Sequence, residues 1–148
     1  YGMIENIDRN VGRVLAALDR LQLSDNTLVC FMTDNGHVSS HYNAGLRGRK
    51  GTVFEGGVRV PMVVRWPGRI APGTVLDQPA QHIDLFPTLL EAAGVALPNR
   101  PLDGRSLLPL LRSGRGEPPH PYLFHQWTRV RPSADEGWAI LDCAEGGR

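Results

Sequence analysis

A six-residue apolar run, Thr27-Leu28-Val29-Cys30-Phe31-Met32, stops abruptly at Thr33-Asp34-Asn35-Gly36 and constrains the fold more than any other feature. Such a run, rich in β-branched and aromatic residues and too short for a helix, reads as a strand buried on both faces of a parallel sheet. Upstream of it Ile4, Ile7, Val11, Val14, Leu15, Leu18 and Leu21 recur at three- and four-residue intervals, with Glu5, Asp8, Arg9 and Arg13 between them. That spacing predicts an amphipathic helix over residues 3 to 22. Ser24-Asp25-Asn26 then break the period. Helix, turn and buried strand together define an α/β chain, and polar residues at the carboxyl end of such a strand stand where these folds keep their ligands.

From Gly36 to Gly57 no period is sustained, and six glycines indicate a long loop around the strand end, a kind usually functional in a compact domain. A second strand is expected over residues 58–66, with Pro61 near its start and Pro67-Gly68 as the closing turn. A helix follows at 83–93, with Asp84 as N-cap, Pro87 in the first turn, Gly94 just past the end, and Leu85, Leu89, Leu90 and Ala93 as the core face. A third helix is expected over 106–111. Past Ser113 the composition turns to Gly and Pro, a boundary signal, before two short strands at 122–127 and 138–141.

At 148 residues and a formal net charge of +1, the chain is one ordinary domain or a piece of a larger one, and its charge excludes a general polyanion binder such as a nucleic-acid protein. No apolar run approaches the ~18 residues of a membrane span, and the first residues carry no export signal. Cys30 and Cys143 are too far apart for a C-x-x-C or zinc spacing, which leaves the redox compartment open.

Asp34 and Asn35 offer a carboxylate and an amide oxygen side by side, a good fragment of a calcium or magnesium site; the same Asp-Asn-Gly is also a common turn sequence. Calcium takes about 6–8 oxygen ligands, so further donors must come from elsewhere. Lys50 is the single lysine beside fifteen arginines and lies between Gly48 and Gly51. Glycines around a cation let backbone and ammonium approach an oxyanion closely, although an exposed loop lysine is the ordinary alternative. No G-x-x-x-x-G-K-[ST] phosphate loop is present.

These motifs in order resemble the type I sulfatases of the alkaline phosphatase superfamily. They are the Asp25-Asn26-Thr27 turn, Thr33-Asp34-Asn35-Gly36, Leu46-Arg47-Gly48-Arg49-Lys50-Gly51-Thr52, Glu55-Gly56-Gly57-Val58-Arg59-Val60-Pro61, Trp66-Pro67-Gly68, His82-Ile83-Asp84-Leu85-Phe86-Pro87-Thr88, and Leu102-Asp103-Gly104-Arg105-Ser106. The resemblance spans residues 1 to 127. It implies an alkaline-phosphatase-like sandwich with a central mixed sheet, residues 1–113 closing the catalytic domain and 114–148 forming a linker and the start of a smaller carboxyl-terminal subdomain. It further implies sulfate ester hydrolysis, with Asp34 and Asn35 ligating Ca²⁺ and Lys50 contacting the sulfate. His37 is a second candidate for substrate binding and for protonating the leaving oxygen.

One departure stands out. The formylglycine nucleophile of that family arises from a C/S-x-P-x-R motif, and this chain has none. The chain is therefore expected to be the carboxyl-terminal part of a sulfatase several times longer, or a truncated copy, and inactive alone. Its partners would be a sulfated small molecule or glycan and the missing amino-terminal part, the resemblance implying a parent exported from the cytoplasm. Two other readings stay open: a phosphodiesterase or phosphonate hydrolase of the same superfamily, and a non-catalytic module. Among weaker candidates, His41, His120 and His125 read as surface residues and His82 as a structural partner near Asp84. Glu55 and Arg59 read as an ion pair shaping the Lys50 loop, and Trp66, Trp127 and Trp138 as core residues or as the lining of a sugar cleft.

Overall fold

The computed structural model describes residues 2–127 and 137–143. Helix α1 spans Gly2–Arg20, with Glu5 in its first turn and Arg20 in its last, each complementing the local end of the helix dipole. It ends in a Schellman motif, in which Leu23 N–H donates to Leu18 O at 2.9 Å and Gln22 N–H to Asp19 O at 3.0 Å. Gln22 takes the left-handed conformation there, at φ 57°. The apolar stripe predicted from the sequence is present, yet no residue of α1 is buried, and Met3 and Ile4 are 84% and 64% exposed.

Strand β1 (Val29–Met32) pairs with β2 (Met62–Arg65), and the pairing is antiparallel, in register from Val29↔Arg65 to Met32↔Met62. This corrects the expectation of a strand buried on both faces of a parallel sheet. Among the described residues the sheet has only these two strands, so Cys30 and Phe31, on opposite faces, are both exposed and Val29 and Met32 are half-buried. The second strand is also shorter than expected: the one-turn helix α2 (Glu55–Val58) occupies its predicted beginning, and Pro61, lacking an N–H, stands just ahead of the first paired residue.

A 3₁₀ turn at His82–Asp84 leads into α3 (Leu85–Ala92), which ends at Gly94 with φ 69°, the conformation a Schellman end demands. The predicted core face is displaced. Pro87 and Thr88 are the buried residues, Leu85 and Leu90 are half-buried, and Leu89 and Ala93 are exposed. The cause is Asp84, fully buried, which fixes the rotation of the helix about its axis. Its Oδ2 accepts from Gln81 N–H at 2.8 Å, its Oδ1 from Arg105 N–H at 2.8 Å and lies 2.6 Å from His120 Nε2. One turn later the Thr88 hydroxyl donates to Asp84 O at 2.6 Å and accepts from Leu107 N–H at 2.8 Å.

Helix α4 (Leu108–Ser113) packs on α3 and contributes the buried Leu108 and Leu111. Strands β3 (Tyr122–Trp127) and β4 (Gly137–Asp142) form a second antiparallel ribbon, registered from Tyr122↔Asp142 to Trp127↔Gly137. Leu123 and Cys143 bury one side of it. Gln81 Nε2 donates to Phe124 O at 3.2 Å and Gln78 Nε2 to Gly116 O at 2.8 Å, so both segments bond back to the irregular stretch that precedes α3.

Candidate active site at the end of strand β1

Three pieces of loop backbone cross at the carboxyl end of β1, closer than side chains permit. Gly36 N–H donates to Gly57 O at 2.9 Å and Gly56 N–H to Arg47 O at 2.7 Å. A Cβ on Gly36 would lie 1.9 Å from Gly56 O, and one on Gly56 2.4 Å from Gly48 O. Gly36 and Gly56 are thus positions where any side chain would strike the neighbouring backbone. Lys50 N–H then donates to His37 O at 2.9 Å, bringing the lysine to the segment that carries Asp34 and Asn35.

Two polar side chains that the sequence did not single out stiffen the loop. Buried Thr52 donates its hydroxyl to Arg49 O at 2.9 Å and accepts from Arg49 N–H at 3.2 Å, closing the turn that carries Lys50. Asn43 donates through Nδ2 to Leu46 O at 2.6 Å and Gly48 O at 2.8 Å. A loop asparagine beside a run of glycines was the available signal, since such amides commonly satisfy turn carbonyls.

On this frame the candidate residues project toward solvent. The Asp34 carboxylate is exposed and makes no hydrogen bond or ion pair among the described residues. Half-buried Asn35 uses Nδ2 on Gly36 O at 3.3 Å, which leaves its Oδ1 without a donor. Lys50 is exposed. His37 Nδ1 lies 3.0 Å from both the N–H nitrogen and the carbonyl oxygen of Ser39, and the ring meets Tyr42 edge-on at 5.7 Å, which leaves Nε2 as the ring nitrogen without a hydrogen-bond partner among the described residues.

Glu55 and Arg59 form the expected ion pair, 3.2 Å across one turn of α2. His41 is exposed, as expected, and its Nδ1 lies 2.7 Å from Ser39 Oγ. Two other expectations are corrected. His120, expected at the surface, is buried and holds Asp84, whereas His82, the expected partner, is exposed. His125 is half-buried on β3, where desolvation pulls its pKa below the ordinary imidazole value. Trp66 is buried, with the guanidiniums of Arg69 and Arg112 5.6 and 5.8 Å from its ring, as a core residue would be. Trp127 is half-buried, and the Trp138 side chain lies outside the described residues.

Residues 1–95, which include the whole of this loop, match the family model for sulfatases. The chain belongs to the sulfatase family. It is 47% identical over 137 residues to steryl-sulfatase of Mus musculus, covering 84% of this chain and 22% of that protein. Human arylsulfatase A is 46% identical over 123 residues, 80% of this chain and 24% of the enzyme. The sulfatase chain thus spans about a quarter of the length of the curated relatives it matches.

Among solved structures, Ps i-CgsB in complex with k-i-k-neocarrahexaose superposes with a TM-score of 0.81 at 31% identity, over 97% of this chain and 36% of that one. A phosphonate monoester hydrolase from Silicibacter pomeroyi superposes with a TM-score of 0.70 at 25% identity, over 95% of this chain and 33% of its own. The α/β fold is that of the alkaline-phosphatase-like sulfatases.

The donor chemistry of this sulfatase loop suits a hard cation. Asp34 and Asn35 present oxygen alone, the ligand type of calcium and magnesium, and neither oxygen set is committed to another partner among the described residues. No group of three or more His, Cys, Asp or Glu is placed to hold a metal among those residues. The two residues therefore fit part of one hard-cation site.

Proposed function

We propose that the protein carrying this chain hydrolyses sulfate esters, with Asp34 and Asn35 as two ligands of one Ca²⁺, Lys50 on the sulfate and His37 on the leaving-group side. The observation that carries the reading is the 2.9 Å bond from Lys50 N–H to His37 O, which ties the only lysine to the loop that begins with the two oxygen donors. The family match over residues 1–95 supports it.

Bound calcium would supply positive charge to the sulfuryl oxygens. The chain's own residues do the rest of the work assigned here. Lys50 neutralises charge on the sulfuryl group as the S–O bond breaks, from a turn that Thr52 already holds, so little reorganisation is needed at the moment of reaction. His37 has Nδ1 held against the Ser39 backbone, so Nε2 is the nitrogen assigned to pass a proton to the departing oxygen. The nucleophile is assigned to polypeptide beyond these 148 residues, because no C/S-x-P-x-R motif occurs in them. Residues 1–113 are assigned to the catalytic domain and 114–148 to the linker and the start of a smaller subdomain.

The similarity to a phosphonate monoester hydrolase favours one alternative, hydrolysis of phosphonate or phosphate esters at a pair of transition metals. Asn35 weighs against it, since a neutral amide suits a single hard cation better than a zinc pair. In the full-length protein, Lys50→Ala should lower kcat for p-nitrophenyl sulfate by roughly 10²–10³ while leaving the thermal unfolding midpoint unchanged. Near-normal kcat removes Lys50 from the reaction. Faster turnover of phenylphosphonate than of the sulfate ester by the wild-type protein selects the alternative.

A further inference from the structure

Between Asp34 and Glu55 the chain contains no acidic residue, while Arg47, Arg49 and Lys50 fall within four positions of one another. Glu55 already pairs with Arg59, and Asp34 belongs to the candidate cation site. The loop therefore carries more positive charge than one sulfate group and one lysine require. Neither arginine has a carboxylate partner among the described residues.

Arg47 is also held differently from an ordinary surface arginine. The Arg47 guanidinium carbon lies over the Phe54 ring, 3.7 Å from its centroid, which sets its position, and its N–H groups have no hydrogen-bond acceptor among the described residues. Arg49 is exposed, but its backbone N–H and C=O are both bonded to Thr52, so the stem of the side chain starts from a fixed point. A guanidinium already seated on a ring loses little freedom on meeting an anion, and the planar fork of both arginines matches a sulfate or carboxylate with two parallel bonds.

We propose that Arg49, with Arg47, forms a second anion-binding site beside Lys50, taking a further sulfate or carboxylate on the same substrate molecule. The preferred substrate is then a multiply charged saccharide sulfate rather than a singly charged steroid or aryl sulfate. The proposal rests on the reading of Lys50 as the sulfate-binding residue and deepens it.

The test measures Ki for a disulfated disaccharide and for its monosulfated counterpart, both as competitors of p-nitrophenyl sulfate hydrolysis by the full-length protein. The wild type should bind the disulfated form about tenfold more tightly, the worth of one charge-assisted hydrogen-bonded contact. Arg49→Gln should bring that ratio close to one, and Arg49→Lys should restore part of it. The substitution keeps the loop intact, because Thr52 bonds only to the Arg49 backbone. Arg112→Gln, on α4, serves as the control for general loss of positive charge and should keep the wild-type ratio. A wild-type ratio near one, or a ratio that Arg49→Gln leaves unchanged, overturns the second site while the role of Lys50 stands. Absence of any p-nitrophenyl sulfate hydrolysis by the wild-type protein overturns the sulfatase reading and this inference with it.

Discussion

Two regions of the molecule hold polar residues in place by opposite means. In residues 36–57 backbone bonds at glycines, which let carbonyls and amides pass at bonding distance, do most of the holding, with the Thr52 and Asn43 side chains bracing them, and the side chains of His37, Arg49 and Lys50 stay exposed. In residues 81–120 a side chain does it, since the buried Asp84 carboxylate collects two backbone N–H groups and an imidazole from three separate segments. A charged group whose bonds are all satisfied inside the protein is scaffold. A charged group left unpartnered on a stiff backbone is available to a ligand.

The strongest way to break this comparison is Asp84→Ala. It strands two N–H donors and the His120 ring, and breaking a buried pair by removing one partner costs about 3–5 kcal/mol. The measurement is the denaturant midpoint of the purified protein, and a loss below ~1 kcal/mol would show that the hub does not hold these segments. Next in size is Gly36→Ala, which drives a methyl group onto Gly56 O. Overpacking of this kind costs roughly 1–3 kcal/mol. Because the displaced segment carries His37 and faces the Lys50 turn, hydrolysis of the sulfate ester should fall with it. Full activity in this variant would mean that the close approach is incidental to the site.

The smallest expected effect sharpens the contrast through pH. Burial lowers the His125 pKa below its ordinary value of 6.5. Between the two values the unfolded chain binds more protons than the folded one, so stability is complete above pH 6.5 and declines as pH falls toward the lowered folded value. His125→Gln should flatten that slope in denaturant titrations at a series of pH values. An unchanged slope would place the acid sensitivity elsewhere.

Local patterns carried part of this structure in plain view. The three- and four-residue spacing of Ile4 through Leu21 marked α1, and Gly94 marked the end of α3, because each depends on chain geometry within a turn or two. Asp34, Asn35 and Lys50 stood out as candidates from residue type and from resemblance to the sulfatases. The burial of His120 was not legible, since its partner lies 36 residues away and the intervening chain contains no local trace of the pairing. His82, nearer to Asp84 in sequence, was the natural and incorrect choice. The polarity of β1 was missed for a related reason: a short apolar run states that a strand exists, while the direction of its neighbour depends on where the chain returns.

The sequence by itself determined the helix and strand order, the family, and the identity of the oxygen donors and the lone lysine, all of which are properties of residue type and short-range spacing. Tertiary structure decided which glycines are indispensable, which histidine satisfies Asp84, and that two arginines beside Lys50 have no acid to neutralise them among the described residues. Those facts depend on distances between segments remote in sequence, where a few tenths of an ångström separate a hydrogen bond from a clash.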